Sequence, residues 1–127
     1  MRILLSGCEG QLGRALTAVL PACGDLQAFA KPDFDLTSEA AMRMVLDRVR
    51  PDVIVNAAAY TAVDQAETDV ALAMAVNGEG PGAIARWAAE NDAAILHYST
   101  DYVFDGVGAA PYRETDPVCP VNRYGAT

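Results

Sequence analysis

Three glycines at intervals of three, Gly7, Gly10 and Gly13, follow directly on the apolar run Ile3-Leu4-Leu5-Ser6 and precede a helical pattern. Few features restrict a fold so tightly. A strand ends at the first glycine, the second lets a ligand approach the backbone, and the third lets the helix pack close on the strand. The first turn of that helix leaves N–H groups without partners, so the turn can receive a phosphate without a basic side chain. A plain glycine turn is the alternative. The placement between a strand and a helix near the N-terminus favours a dinucleotide pyrophosphate.

The rest of the chain alternates in the same way. Leu12, Ala15, Leu16, Val19 and Leu20 recur at helical spacing as one apolar stripe, which Pro21 and Gly24 end. Residues 26–30 read as a second strand, and Thr37 or Ser38 caps a second helix with the stripe Met42, Val45, Leu46 and Val49, stopped by Pro51. Residues 52–56 and 93–99 are the third and fourth strands. Between them a helical pattern runs over 68–91 across Gly78-Glu79-Gly80-Pro81-Gly82. Met74, Asn77, Pro81, Ile84 and Ala88 keep one face through that interruption, which predicts a kinked helix rather than a linker. Beyond Thr100 the chain is irregular and rich in proline, as a loop over a site would be. This alternation gives an α/β chain, a Rossmann-type doubly wound parallel sheet with right-handed crossovers in one domain over 1–127. Its ligands belong at the carboxyl ends of the strands.

The strand ends therefore supply the candidates. Strand two ends at Ala30 and Lys31, where an acidic residue would bind both ribose hydroxyls of NAD. The missing carboxylate and the adjacent cation suit the 2′-phosphate of NADP, with NAD and a merely solvated Lys31 as the alternatives. Asp35 and Leu36 could frame an adenine, though Asp35 also reads as a turn residue. Strand three ends in Asn56-Ala57-Ala58-Ala59-Tyr60-Thr61, small enough for an extended ligand to lie on the backbone or for a helix to pack tightly. Thr61 and Asp64 have capping-box spacing, and Asp64 and Glu67 lie at i, i+3; these acids read as structural. Ser99, Thr100, Asp101 and Tyr102 end strand four, either facing a substrate or capping the strand. His97 falls in mid-strand and reads as a packed residue rather than part of a Ser/His/Asp triad. Trp87 and the methionines at helical spacing read as core.

Composition narrows the classes further. A content of 52% hydrophobic and 20% charged residues is that of a soluble globular domain, and no apolar run approaches the roughly 18 residues of a membrane span. The formal net charge of -8 argues against nucleic-acid binding. Cys8, Cys23 and Cys119 are odd in number and unpaired in spacing, against both a disulfide framework and a zinc site. The start Met1-Arg2-Ile3-Leu4-Leu5 leaves no room for a signal peptide, so a cytoplasmic protein is expected.

Gly10-Gln11-Leu12-Gly13, Asn56-Ala57-Ala58-Ala59-Tyr60-Thr61-Ala62-Val63-Asp64 and above all Tyr98-Ser99-Thr100-Asp101-Tyr102-Val103-Phe104-Asp105-Gly106 resemble the dTDP-4-dehydrorhamnose reductase family of extended short-chain dehydrogenases. The likeness runs on to Pro120-Val121-Asn122-Arg123-Tyr124-Gly125. It implies that Thr100 and Tyr124 are the catalytic hydroxyl pair and that Asp101 and Tyr102 meet the substrate beside Thr100. Gly10, Gln11 and Leu12 would then take the pyrophosphate, and Ala58, Ala59, Tyr60, Thr61 and Tyr98 would line the nicotinamide nucleotide. The implied reaction is hydride transfer from NAD(P)H to the 4-keto group of dTDP-4-dehydro-L-rhamnose, with Tyr124 protonating the alkoxide and Thr100 bonding the oxygen. Some members use magnesium, for which no ligand set is assigned here.

A free tyrosine titrates near pH ~10, and such enzymes lower that value with a lysine four residues on, which would be position 128. The resemblance thus implies an N-terminal piece of a longer enzyme, homodimeric when whole, with its sheet incomplete at the C-terminus. Alone, residues 1–127 are expected to be inactive and prone to pair through an open strand edge. Two other readings are a non-catalytic regulatory subunit like the β subunit of methionine adenosyltransferase, and a nucleotide-sugar epimerase. Intact Thr100 and Tyr124 weigh against the first, and the Gln-Leu turn and the setting of Thr100 against the second.

Overall fold

In the computed structural model, which describes residues 1–127, four parallel strands form one sheet. They are β1 (Arg2–Ser6), β2 (Asp25–Phe29), β3 (Val53–Asn56) and β4 (Ala94–His97), in the order β2-β1-β3-β4. The helices are α1 (Gln11–Val19), α2 (Glu39–Val49), α3 (Val70–Met74), α4 (Gly80–Glu90) and α5 (Arg123–Ala126). The chain leaves β1 toward β2 on one side, then crosses back to β3 and β4 on the other. The strand order therefore reverses between β1 and β3, which is where doubly wound sheets open a crevice.

Strand parity divides the core in two. Leu4 and Ile54 point to the face covered by α2 and α4 and join Met42, Leu46, Ile84 and Trp87 in the larger cluster. Ile3, Leu5 and Val55 point the other way, toward Leu16 and Leu20 of the α1 segment. Helix α2 follows its sequence pattern closely. Ser38 accepts from the Ala41 N–H at its start, all four stripe residues are buried, and Arg50 ends it in the left-handed region at φ 50 before Pro51. Trp87 is buried and donates its indole N–H to Asp47 at 2.8 Å, which ties α4 to α2. No helix is long and apolar enough to cross a membrane.

The long pattern before β4 is one continuous helical stretch rather than a linker, as its periodicity predicts, with a π-turn within it. Helix α3 passes into a π-turn, Ala75–Glu79, and then into α4. Pro81 supplies the reason: it has no N–H to give the carbonyl of Asn77, and its ring crowds that carbonyl. The Gly80 N–H reaches back five residues to Ala75 instead.

Several expectations fail, each for a non-local reason. The α1 stripe is mostly uncovered, with Leu12 and Val19 exposed and only Leu16 and Leu20 half-buried, because α1 alone lies on its face of the sheet. Strand β4 is exposed along its whole length although its sequence is apolar, with Leu96 49% accessible, because it forms the sheet edge. Of the methionines only Met42 is core; Met44 is 74% exposed, and Met74 is exposed as well. The capping box at Thr61 and Asp64 does not form, since neither side chain caps the 3-10 turn Gln65–Glu67. Strands two, three and four are also shorter than or offset from their predicted spans, and Ala30, Tyr98 and Ser99 lie outside them.

Candidate active site

Gly7 begins the site with φ +71, a conformation that side chains resist, and a Cβ there would stand 2.6 Å from the Ala58 nitrogen. The turn after β1 and the loop after β3 therefore touch. Gly13 is buried behind the turn, where a Cβ would lie 2.0 Å from the Gly7 carbonyl, so it sets the helix close to the strand instead of lining the cavity. Gly10, the N-cap, has no side chain to occupy the first-turn donors of α1. Those N–H groups and the positive end of the helix dipole fit a phosphate.

From this turn a cleft of about 870 Å³ runs along the strand ends, a size typical of small-molecule sites. Gly7, Gly10, Gln11 and Leu12 form one stretch of its wall, with Lys31, Asp35 and Leu36 beyond them. Ala58, Ala59, Tyr60 and Thr61 line the middle, and Tyr98, Thr100 and Tyr124 the far end. Residues separated by over a hundred positions thus share one wall. Asp101 and Tyr102 stand outside it, in the 3-10 turn Asp101–Val103, and Tyr102 meets the cleft residue Tyr124 edge-on at 5.4 Å.

Lys31 is the one lysine or arginine in the lining, against the acids Glu9 and Asp35. Asp35 accepts from the Thr37 N–H at 2.9 Å and the Thr37 hydroxyl at 2.8 Å, and these bonds hold its carboxyl below the usual range. It is therefore both a turn residue and a cleft residue. Thr100 accepts the Tyr102 N–H at 3.2 Å, so its hydroxyl oxygen is oriented by the turn it starts. Tyr124 lies in the short helix α5, whose N-cap Asn122 accepts from the Gly125 N–H at 2.7 Å.

Ser6, Asn56 and His97 end β1, β3 and β4 in register and form a polar ladder beneath the cleft. The Ala58 N–H donates to Asn56 Oδ1 at 3.2 Å, which identifies that atom as the oxygen and turns the Asn56 NH₂ toward His97 Nδ1 at 3.0 Å. His97 Nδ1 is therefore an acceptor and the ring is neutral. Desolvation by burial pushes its pKa below the ordinary 6.5. The residue is nonetheless exposed, as is all of the edge strand β4. His97 is thus not the packed mid-strand residue its setting in the sequence implies: it ends β4 and lines the cleft.

Asn77 is a second lining residue without a role in the sequence reading. Its amide accepts the Tyr60 N–H at 2.8 Å and donates to the Tyr60 carbonyl at 3.0 Å, holding the loop after β3. The one signal was a polar residue on an otherwise apolar helical face, Met74, Asn77, Pro81, Ile84 and Ala88.

Residues 1–127 match the family described as the RmlD substrate binding domain. Among curated relatives, the dTDP-4-dehydrorhamnose reductase of Burkholderia thailandensis is 47% identical over 100% of this chain and 43% of its own length. The enzyme of that name from Streptomyces griseus is 48% identical over 99% of this chain and 42% of its own. A crystal structure of dTDP-4-dehydrorhamnose reductase from Bacillus anthracis, in complex with NADP, superposes with a TM-score of 0.94 at 37% identity, covering 98% of this chain and 45% of that one. The chain thus spans less than half the length of the relatives it matches. A likeness of this strength along all 127 residues, joined to a glycine turn, a strand-end cleft and a Thr100–Tyr124 end, places the chain in the dTDP-4-dehydrorhamnose reductase family.

Proposed function

We propose that this chain is the dinucleotide-binding part of an NADPH-dependent reductase that converts the 4-keto group of dTDP-4-dehydro-L-rhamnose to the alcohol of dTDP-L-rhamnose. The observation that carries this reading is the single cleft with an anion-receiving helix start along one stretch and two hydroxyls, Thr100 and Tyr124, at another. The dinucleotide, when bound, supplies the hydride. Gly10, Gln11 and Leu12 would hold its pyrophosphate, Ala58, Ala59, Tyr60, Thr61 and Tyr98 would lie along the nicotinamide half, and Asp35 and Leu36 would border the adenine. Lys31, following Ala30 at the place after β2 where an acid would bind the ribose hydroxyls, favours the 2′-phosphate of NADP over the bare ribose of NAD.

The chain's own residues then handle the proton. Thr100, its oxygen oriented by the Tyr102 N–H, hydrogen-bonds the carbonyl oxygen of the sugar, and Tyr124 donates a proton to that oxygen as charge develops. Asp101 and Tyr102 lie beyond the wall and would meet the outer part of the substrate. The remainder of the sugar-nucleotide site belongs to a C-terminal region of the length the relatives have.

An assay of the protein as its gene encodes it, on dTDP-4-dehydro-L-rhamnose with NADPH and with NADH, tests the reading. Oxidation of NADPH in preference to NADH is expected. Failure to oxidise either would remove the reductase reading and leave a nucleotide-binding role.

A further inference from the structure

Helix α5 carries Tyr124 but is only four residues long, and one turn of helix has no stability of its own. Its orientation must be imposed from outside. Two polar side chains of the crossover between β3 and β4 do this, one at each end. Glu67 Oε1 accepts the Arg123 N–H at 2.9 Å, a first-turn donor, while the N-cap side chain of Asn122 is engaged with Gly125. At the other end Asn77 Nδ2 donates to the Thr127 hydroxyl at 3.0 Å, and that hydroxyl donates to the Tyr124 carbonyl at 2.7 Å.

We propose that Glu67 and Asn77 are positioning residues that clamp α5 and so fix Tyr124 against the loop after β3, a role that rests on the reductase reading. Their hydrogen bonds reach the Arg123 N–H and the Thr127 hydroxyl. Glu67 is not among the residues lining the cleft. Asn77 holds both polar backbone atoms of Tyr60 with the amide that also reaches Thr127, so one side chain sets the distance from α5 to the middle of the cleft. Gly125 closes the arrangement: a Cβ on it would stand 2.1 Å from the Tyr102 carbonyl, so α5 packs directly on the 3-10 turn Asp101–Val103. The bond at Glu67 spans 56 residues, and a local capping pattern could not replace it.

Glu67→Ala and Glu67→Gln in the protein as its gene encodes it separate the bond from the charge. Three readouts are taken: hydrogen exchange of the amides of 123–127, NADPH affinity, and kcat and KM on the keto sugar. For Glu67→Ala the Arg123 amide should exchange roughly tenfold faster. Its kcat should fall about 10- to 100-fold with KM and NADPH affinity within about twofold, since misplacing a reacting group acts mainly on kcat. Glu67→Gln keeps an oxygen for the Arg123 N–H and should stay within about threefold of the parent in kcat. Unchanged exchange and kcat in Glu67→Ala would overturn the proposal, as would equal losses in both variants or a loss of NADPH binding in step with kcat. If Glu67→Ala does not fold, Thr127→Val, which removes the hydroxyl at the other end and leaves the Tyr60 bonds, must show the same kcat-selective loss. A parent protein that reduces no keto sugar overturns the reductase reading instead, while the exchange of 123–127 still decides whether the clamp exists.

Discussion

Among single residues, Lys31 and His97 make the sharpest predictions. If the Lys31 ammonium pairs with a 2′-phosphate, Lys31→Ala weakens NADPH binding about tenfold or more, the worth of one charge-assisted bond, and leaves NADH nearly unchanged. Fluorescence titration with both nucleotides measures the split. His97 gives a pH effect whose sign follows from its lowered pKa. Well above 6.5 the ring is neutral both folded and unfolded; as the pH falls below that value the unfolded chain takes up the proton first, so stability is lost. Urea unfolding between about pH 7.5 and about pH 5.5 should therefore show a steeper decline for the parent than for His97→Gln. The place of Lys31 in the cleft wall was legible because a missing acid at a strand end is a local pattern. His97 was misread because its exposure depends on which strand lies at the edge, and no window of sequence records that.

The elements divide along the same line. The glycine turn and α2 follow from spacing alone: their glycines, cap and apolar stripe are all within one turn or one helix. That the helix before α4 is interrupted and not broken was legible, since its apolar face continues past Pro81, but the π-turn and what it positions were not. Asn77 answers to Tyr60, 17 residues away, and to Thr127, 50 residues away. Replacing Pro81 by Ala restores an N–H that can bond the Asn77 carbonyl, and a π-turn relaxing to α-helix rotates the preceding residues by about 100°. The helix should melt higher by circular dichroism while the Tyr60 amide loses its exchange protection and turnover falls. Unchanged protection at Tyr60 would show that the π-turn does not depend on the proline.

At the scale of the molecule the sheet is the deciding feature. One face is sealed by α2 and α4, while α1 stands alone on the other and β4 has a free edge with Leu96 half-exposed. Exposed, unpaired strands of this kind template association. Residues 1–127 expressed alone should elute from size exclusion at a size that grows with concentration, and Leu96→Lys should reduce that growth. The sequence pointed to an open edge only through the family resemblance, because an apolar run reads alike in a central and in an edge strand. The same strand runs directly into Tyr98, Ser99 and Thr100, which line the cleft at the end that Tyr124 also lines. Whatever pairs with the outer side of β4 therefore also sets the pitch of the backbone that carries Thr100. A change along that outer edge would then surface as a shift of Thr100 before it surfaced as misfolding.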